Sequence, residues 1–214
     1  MDLGVVLRID GYRSITMNKL VLQPTATAQW HDLVNEAQQA AHCQLDESLE
    51  SYLVFLLERF SRRPDMLSRI LGRDYLETCS RVGHQRDSLR DIGDHCLLFS
   101  GLFPQIAERR LVKISYFVSL GRSAYLRIAT DWYDSEQQIN ELYAGLAQGF
   151  VQLMDILQAI RGLDEEYRER LKPIQAFELW QETGSRQAYQ MLTSLGESIP
   201  APANDSDDPT TPIH

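Results

Sequence analysis

Chemistry needs ionisable and polar groups brought together, and two stretches of this 214-residue sequence carry them at usable spacing. The first is 91–103, Asp-Ile-Gly-Asp-His-Cys-Leu-Leu-Phe-Ser-Gly-Leu-Phe, where acidic and imidazole groups run into residues that should be buried. On a helix Asp91 and His95 stand one turn apart, a spacing that suits a shared metal ion or an imidazole oriented for proton transfer. The competing reading is that both cap, pair or face solvent, and pattern matches of this kind are more often structural.

The second stretch is 116–125, Tyr-Phe-Val-Ser-Leu-Gly-Arg-Ser-Ala-Tyr. Arg122 and Tyr125, three residues apart beside Gly121, would suit a carboxylate or phosphate, because a guanidinium offers paired donors and glycine admits close approach. A structural ion pair between Arg122 and Asp94 is the favoured reading, since a buried charge must find a partner. Asp91, Asp94, His95, Tyr116, Arg122 and Tyr125 are therefore the candidate ligand-binding residues; no metal site or cofactor is expected.

Other chemistries lack their usual residues. No Glu-x-x-His occurs, as di-iron bundles require, and the zincin, Walker, dinucleotide-binding and nucleophile-elbow patterns are missing. His31 and His42 lie eleven residues apart on one helix with no further ligand pattern, and are expected at the surface. Arginines 59, 62, 63, 69, 73, 81, 86 and 90 could line an anion-binding face, but Asp65, Asp74, Glu77 and Asp87 interleave with them, which favours a solvated mixed-charge surface.

The elements that must position these groups are helical. After Pro24, with Thr25 or Thr27 as cap, Trp30, Leu33, Val34, Ala37 and Ala41 share a face. Asp46 can cap a second helix whose apolar stripe runs Leu49, Tyr52, Leu53, Leu56, Leu57 and Phe60. A kinked or double helix is expected over 64–81 and another over 85–103, its second half buried all round. After Pro104, 106–110 allows one further turn. A helix from near Leu111 turns Ile114, Phe117, Val118, Gly121, Tyr125 and Ile128 inward.

Asp131 or Asp134 then caps the longest helix, with Ile139, Tyr143, Leu146, Phe150, Leu153, Leu157 and Ile160 at the alternating spacing of a bundle seam or short coiled coil. Gly145 and Gly149 on it would admit a close neighbour. One last amphipathic helix carries Ile174, Phe177, Leu179, Trp180, Tyr189, Leu192 and Leu195. The expected fold is all-α, a single-domain bundle of six to eight helices over 24–196. An N-terminal extension, 1–23, holds a short hairpin or arm, or starts upstream of a natural Met17; a disordered Pro- and Asp-rich tail covers 197–214.

The motif Gly93-Asp94, Gly101-Leu102-Phe103-Pro104, Tyr116-Phe117 and Gly121-Arg122-Ser123-Ala124-Tyr125 resembles a family of uncharacterised bacterial all-helical proteins. The resemblance covers about a fifth of the chain; it implies a bacterial origin and a shared helical core, and brings no activity or catalytic residue with it.

Composition narrows the partners. The net charge of −9 disfavours nucleic acid. Yet 59–129 holds thirteen Lys/Arg against seven Asp/Glu, an excess of +6 that leaves −15 elsewhere. Three widely spaced cysteines and the absence of an apolar run of membrane length point to a reducing, cytoplasmic compartment and no membrane span. The leading expectation is a protein-interaction or regulatory module, self-associating through the seam at 139–160 or acting as an adaptor. The alternative is a small-ligand or enzymatic bundle with a polar pocket around Asp94, His95, Arg122 and Tyr125.

Overall fold

The computed structural model describes residues 25–62, 85–104, 112–131, 137–163 and 171–194. The expected arm, the helices over 64–81, the turn over 106–110 and the tail lie outside the described residues. Those described form eight helices and no strand: α1 (Ala26–Ala40), α2 (Glu47–Arg62), α3 (Gln85–Gly101), α4 (Ile114–Asp131), α5 (Gln137–Gln148), α6 (Phe150–Leu163), α7 (Pro173–Thr183) and α8 (Arg186–Ser194). None is long and apolar enough to cross a membrane.

Local signals set most helix ends. Thr25 Oγ1 accepts from Ala28 N at 3.2 Å, and Asp46 Oδ1 from Leu49 N at 2.9 Å, so both predicted caps form. The chain leaves α1 through His42, whose φ of 48° is left-handed, while Gln38 Oε1 holds Leu45 N at 2.7 Å and so fixes the turn into α2.

The long predicted helix is bent. Its hydrogen bonds run on through Gly149 N to Gly145 O at 2.7 Å and Leu153 N to Gly149 O at 2.9 Å, but regular geometry breaks at Gly149 between α5 and α6. A Cβ on Gly149 would come within 3.0 Å of Leu49 Cδ1, so the missing side chain makes room for α2. The last predicted helix is two: Gly184, with φ of 72°, ends α7, and the chain reverses into α8.

α6 is the central element, buried from Leu153 to Ile160, with α1, α3 and α8 around it. α3 lies along α4, and from Ile92 to Pro104 every residue is buried, as the run of apolar residues implied. Gly101 touches α6 so closely that a Cβ would fall 2.4 Å from Leu157 Cβ.

The seam at 139–160, expected to mediate self-association, is covered within the chain by this packing. Tyr143, Leu146, Phe150, Leu153, Leu157 and Ile160 are all buried within the one chain, and Ile139 packs partly buried against the same core. Each large apolar side chain covered in this way contributes about 1.5–3 kcal/mol to folding. Exposing the seam to a second copy would forfeit that stabilisation.

Candidate functional site

Four helices deliver polar groups to one point. α3 supplies Asp94, whose side chain is wholly buried. Its Oδ1 accepts from the hydroxyls of Tyr52 on α2 at 2.6 Å and Tyr125 on α4 at 2.7 Å. Its Oδ2 accepts from Nη2 of Arg59, two turns beyond Tyr52 on α2. Tyr143 of α5 closes the cluster, its ring 6.4 Å from Tyr52 and 5.9 Å from Tyr125. A buried carboxylate is tolerable only with such donors, and here three converge on it.

Close packing fixes the geometry. A Cβ on Gly93 would fall 2.3 Å from Tyr125 Cε1, and one on Gly121 would fall 2.5 Å from Phe150 and 2.8 Å from Cys96 Cβ. The paired absences let α3 and α4 approach until Tyr125 reaches the carboxylate. Burial, and next the charge of Asp94, push the hydroxyl pKa values of Tyr52 and Tyr125 well above the ordinary tyrosine range. Both remain protonated donors at any physiological pH.

The cluster opens to solvent through its arginines. Burial is the largest single influence on Arg59 and lowers its pKa, but the charges of Asp94 and Tyr52 and the hydrogen bond to Asp94 together outweigh it, so the net shift is upward. Arg90 pairs with Asp87 at 3.2 Å and Asp91 at 3.3 Å. Arg86 sits 5.9 Å from the centroid of the Tyr143 ring, a cation–π contact. About a third of the side chains of Arg59 and Arg90 remains accessible. Their Nε atoms are nevertheless buried and find no hydrogen-bond partner among the described residues.

Of the six predicted site residues, the structure brings Asp94 and Tyr125 into direct contact. Arg122 does not pair with Asp94; its Nε donates to the Ala147 carbonyl at 3.1 Å, satisfying the last turn of α5, and Arg59 takes the place foreseen for it. His95 is buried with its ring stacked at 6.4 Å on Phe99. Asp91 is partly exposed against Arg90, and Tyr116 is exposed with its edge on Phe117. Among the described residues no group of three His, Cys, Asp or Glu is placed to hold a metal ion. His31 is exposed and pairs with Glu50 at 2.9 Å, and His42 is exposed at its turn.

Sequence reasoning missed Tyr52, Arg59 and Tyr143 as site residues. Tyr52 and Tyr143 were absorbed into apolar stripes and Arg59 into a charged face. One signal was available: Tyr52 and Arg59, seven apart, share a helix face and end in donors.

A second buried acid, Asp155, also went unread. It lies on α6 and accepts from Ser185 Oγ at 2.5 Å and Arg186 N at 2.9 Å, so it ties down the start of α8. Burial pushes its pKa up to about 6 against the opposing pull of these hydrogen bonds. Away from the Asp94 cluster, a cleft of about 400 Å³ between α1, α6 and α8 is lined by Gln158, Arg161, Gln187 and Gln190.

Compared with protein-family models, curated proteins and solved structures, the chain matches none.

Proposed function

We propose that the protein is a helical binding module that receives an anionic group, a phosphate or carboxylate, at the rim formed by Arg59, Arg86 and Arg90. The observation that carries this reading is the pair of buried, unpartnered Nε–H donors on Arg59 and Arg90. Buried donors are normally satisfied, and leaving one unmet costs about 1–3 kcal/mol. An oxyanion bridging the two guanidiniums supplies the missing acceptors and relieves their mutual repulsion.

Asp94 takes no direct part in this reading, because its oxygens are already engaged and it is closed to solvent. It positions Arg59, and the tyrosines position Asp94. Arg59 and Arg90 supply the donors to the anion, and Arg86 adds a third positive charge at the rim.

The test is a titration followed by the arginine Nε–H resonances, with inorganic phosphate and glutarate as probes. Saturable shifts at Arg59 and Arg90 are expected. Arg90→Gln should weaken binding about tenfold or more, the loss of one charge-assisted hydrogen bond. Arg122→Gln, remote from the rim, should bind as the wild type does. Absence of saturable shifts with either probe, or equal weakening by Arg122→Gln, refutes the reading.

A further inference from the structure

The cleft between α1, α6 and α8 has a volume of about 400 Å³, within the roughly 300–1,000 Å³ usual for small-molecule sites. Among the described residues that line it, Arg161 is the only charged side chain and no carboxylate is present. Asp155 lies on the adjoining turn of α6, but its oxygens are taken by Ser185 Oγ and Arg186 N. An anion entering the cleft therefore meets a cation and no facing carboxylate, whereas an ammonium finds no counter-ion.

Gln158 sets a second requirement. It is only 8% exposed, lines the cleft, and donates through Nε2 to the Ser100 carbonyl of α3 at 3.1 Å. What its amide still offers is the acceptor Oε1, for which the described residues supply no donor. Buried amides normally satisfy both ends, so this one asks for an N–H or O–H from the cleft. Leu163 and Met191 add apolar wall. A Cβ on Gly162 would meet nothing within 4 Å, so the space beside the end of α6 stays open.

We infer that the cleft is a binding site for a small carboxylic acid carrying a neutral N–H donor, the chemistry of an N-acylated amino acid. Its carboxylate pairs with Arg161, its amide N–H donates to Gln158 Oε1, and its side chain lies against Leu163 and Met191. Gln187 and Gln190, one turn apart on α8, close over the polar edges. A free amino acid brings an ammonium that nothing here neutralises, and a plain aliphatic acid leaves Oε1 unmet. At the roughly 30 Å³ that a water molecule occupies in the liquid, the cleft holds about thirteen heavy atoms, one acylated residue. This site is separate from the arginine rim and does not depend on it.

Titration of the full chain with N-acetyl-L-leucine to about 10 mM, followed by the side-chain amide resonances of Gln158, Gln187 and Gln190, tests the inference. Saturable shifts at these three amides are expected. Leucine, with its ammonium, and N-acetyl-L-leucinamide, without the carboxylate, should each bind at least about tenfold more weakly. Arg161→Gln, with unchanged helical circular dichroism, should lose the preference for the acid over its amide. Gly162→Leu should be at least as stable as the wild type, because glycine is the poorer helix former and the added side chain meets open space, yet it should block binding by filling the cleft. Shifts absent from the three glutamines, or confined to the arginine Nε–H resonances of Arg59 and Arg90, overturn the inference. So does leucine binding as tightly as N-acetyl-L-leucine, or undiminished binding by Gly162→Leu.

Discussion

Replacing Gly93 by alanine sets two physical effects against each other, and the sign of the result decides how tightly α3 and α4 are joined. In an open helix the change stabilises by about 1 kcal/mol, because alanine loses less backbone entropy than glycine. Here the new Cβ would sit 2.3, 2.6 and 2.7 Å from Cε1, Cδ1 and Cζ of Tyr125. That ring has no accessible surface and is hemmed in by Tyr52, Tyr143 and Phe150, at 6.3, 5.9 and 6.0 Å between centroids.

The ring can yield only by leaving Asp94, which gives up a buried hydrogen bond worth about 1–3 kcal/mol. Overpacking elsewhere in the contact costs another 1–3 kcal/mol or so. The net expectation is a loss of about 2–4 kcal/mol by urea denaturation monitored at a helical wavelength. Tyr125→Leu in the same background should restore part of the loss, with a coupling energy of about 1 kcal/mol or more in the double-mutant cycle. A Gly93→Ala protein as stable as the wild type, or more so, would refute the argument, since Tyr125 would then be free to move.

Two further outcomes follow from the other polar contacts. Because folding raises the Asp155 pKa from 3.8 to about 6, the folded chain binds a proton that the unfolded chain has released, and its stabilising contribution is full below the unfolded value and lost as pH rises through about 6. Wild-type stability relative to Asp155→Asn should therefore increase by about 2 kcal/mol between about pH 7 and 4.5; a difference that stays flat across this range contradicts the assignment. Arg122→Gln should cost only about 1 kcal/mol in thermal or urea unfolding, the value of one hydrogen bond to the Ala147 carbonyl. A loss several times larger would restore Arg122 to a role in the buried charge network.

Much of this architecture is written in local sequence. Thr25 and Asp46 cap because a hydroxyl or carboxylate at that position meets an adjacent backbone N–H, and the stripes of α2 and α6 are buried because residues three and four apart share a face. The glycine at 121 was legible as a point of close approach, and Asp94 as a charge that would need partners. The split at Gly184 was legible in principle, since glycine is the usual residue for a left-handed helix end, but the apolar spacing runs through it without a break.

The partners themselves were not legible. Tyr52, Arg59 and Tyr125 stand 42, 35 and 31 residues from Asp94, and helical periodicity is silent on which faces of separate helices meet. Arg122 and Arg59 are equally good guanidiniums for a buried carboxylate; the approach of α2 to α3 gives the pairing to Arg59 and leaves Arg122 over the end of α5. The seam at 139–160 was likewise readable as apolar, but an apolar stripe buries equally well against its own chain or another. Tertiary packing places the seam inside the bundle and leaves Ile174 of α7 and Tyr189 of α8 exposed, because each surface's solvation depends on what covers it.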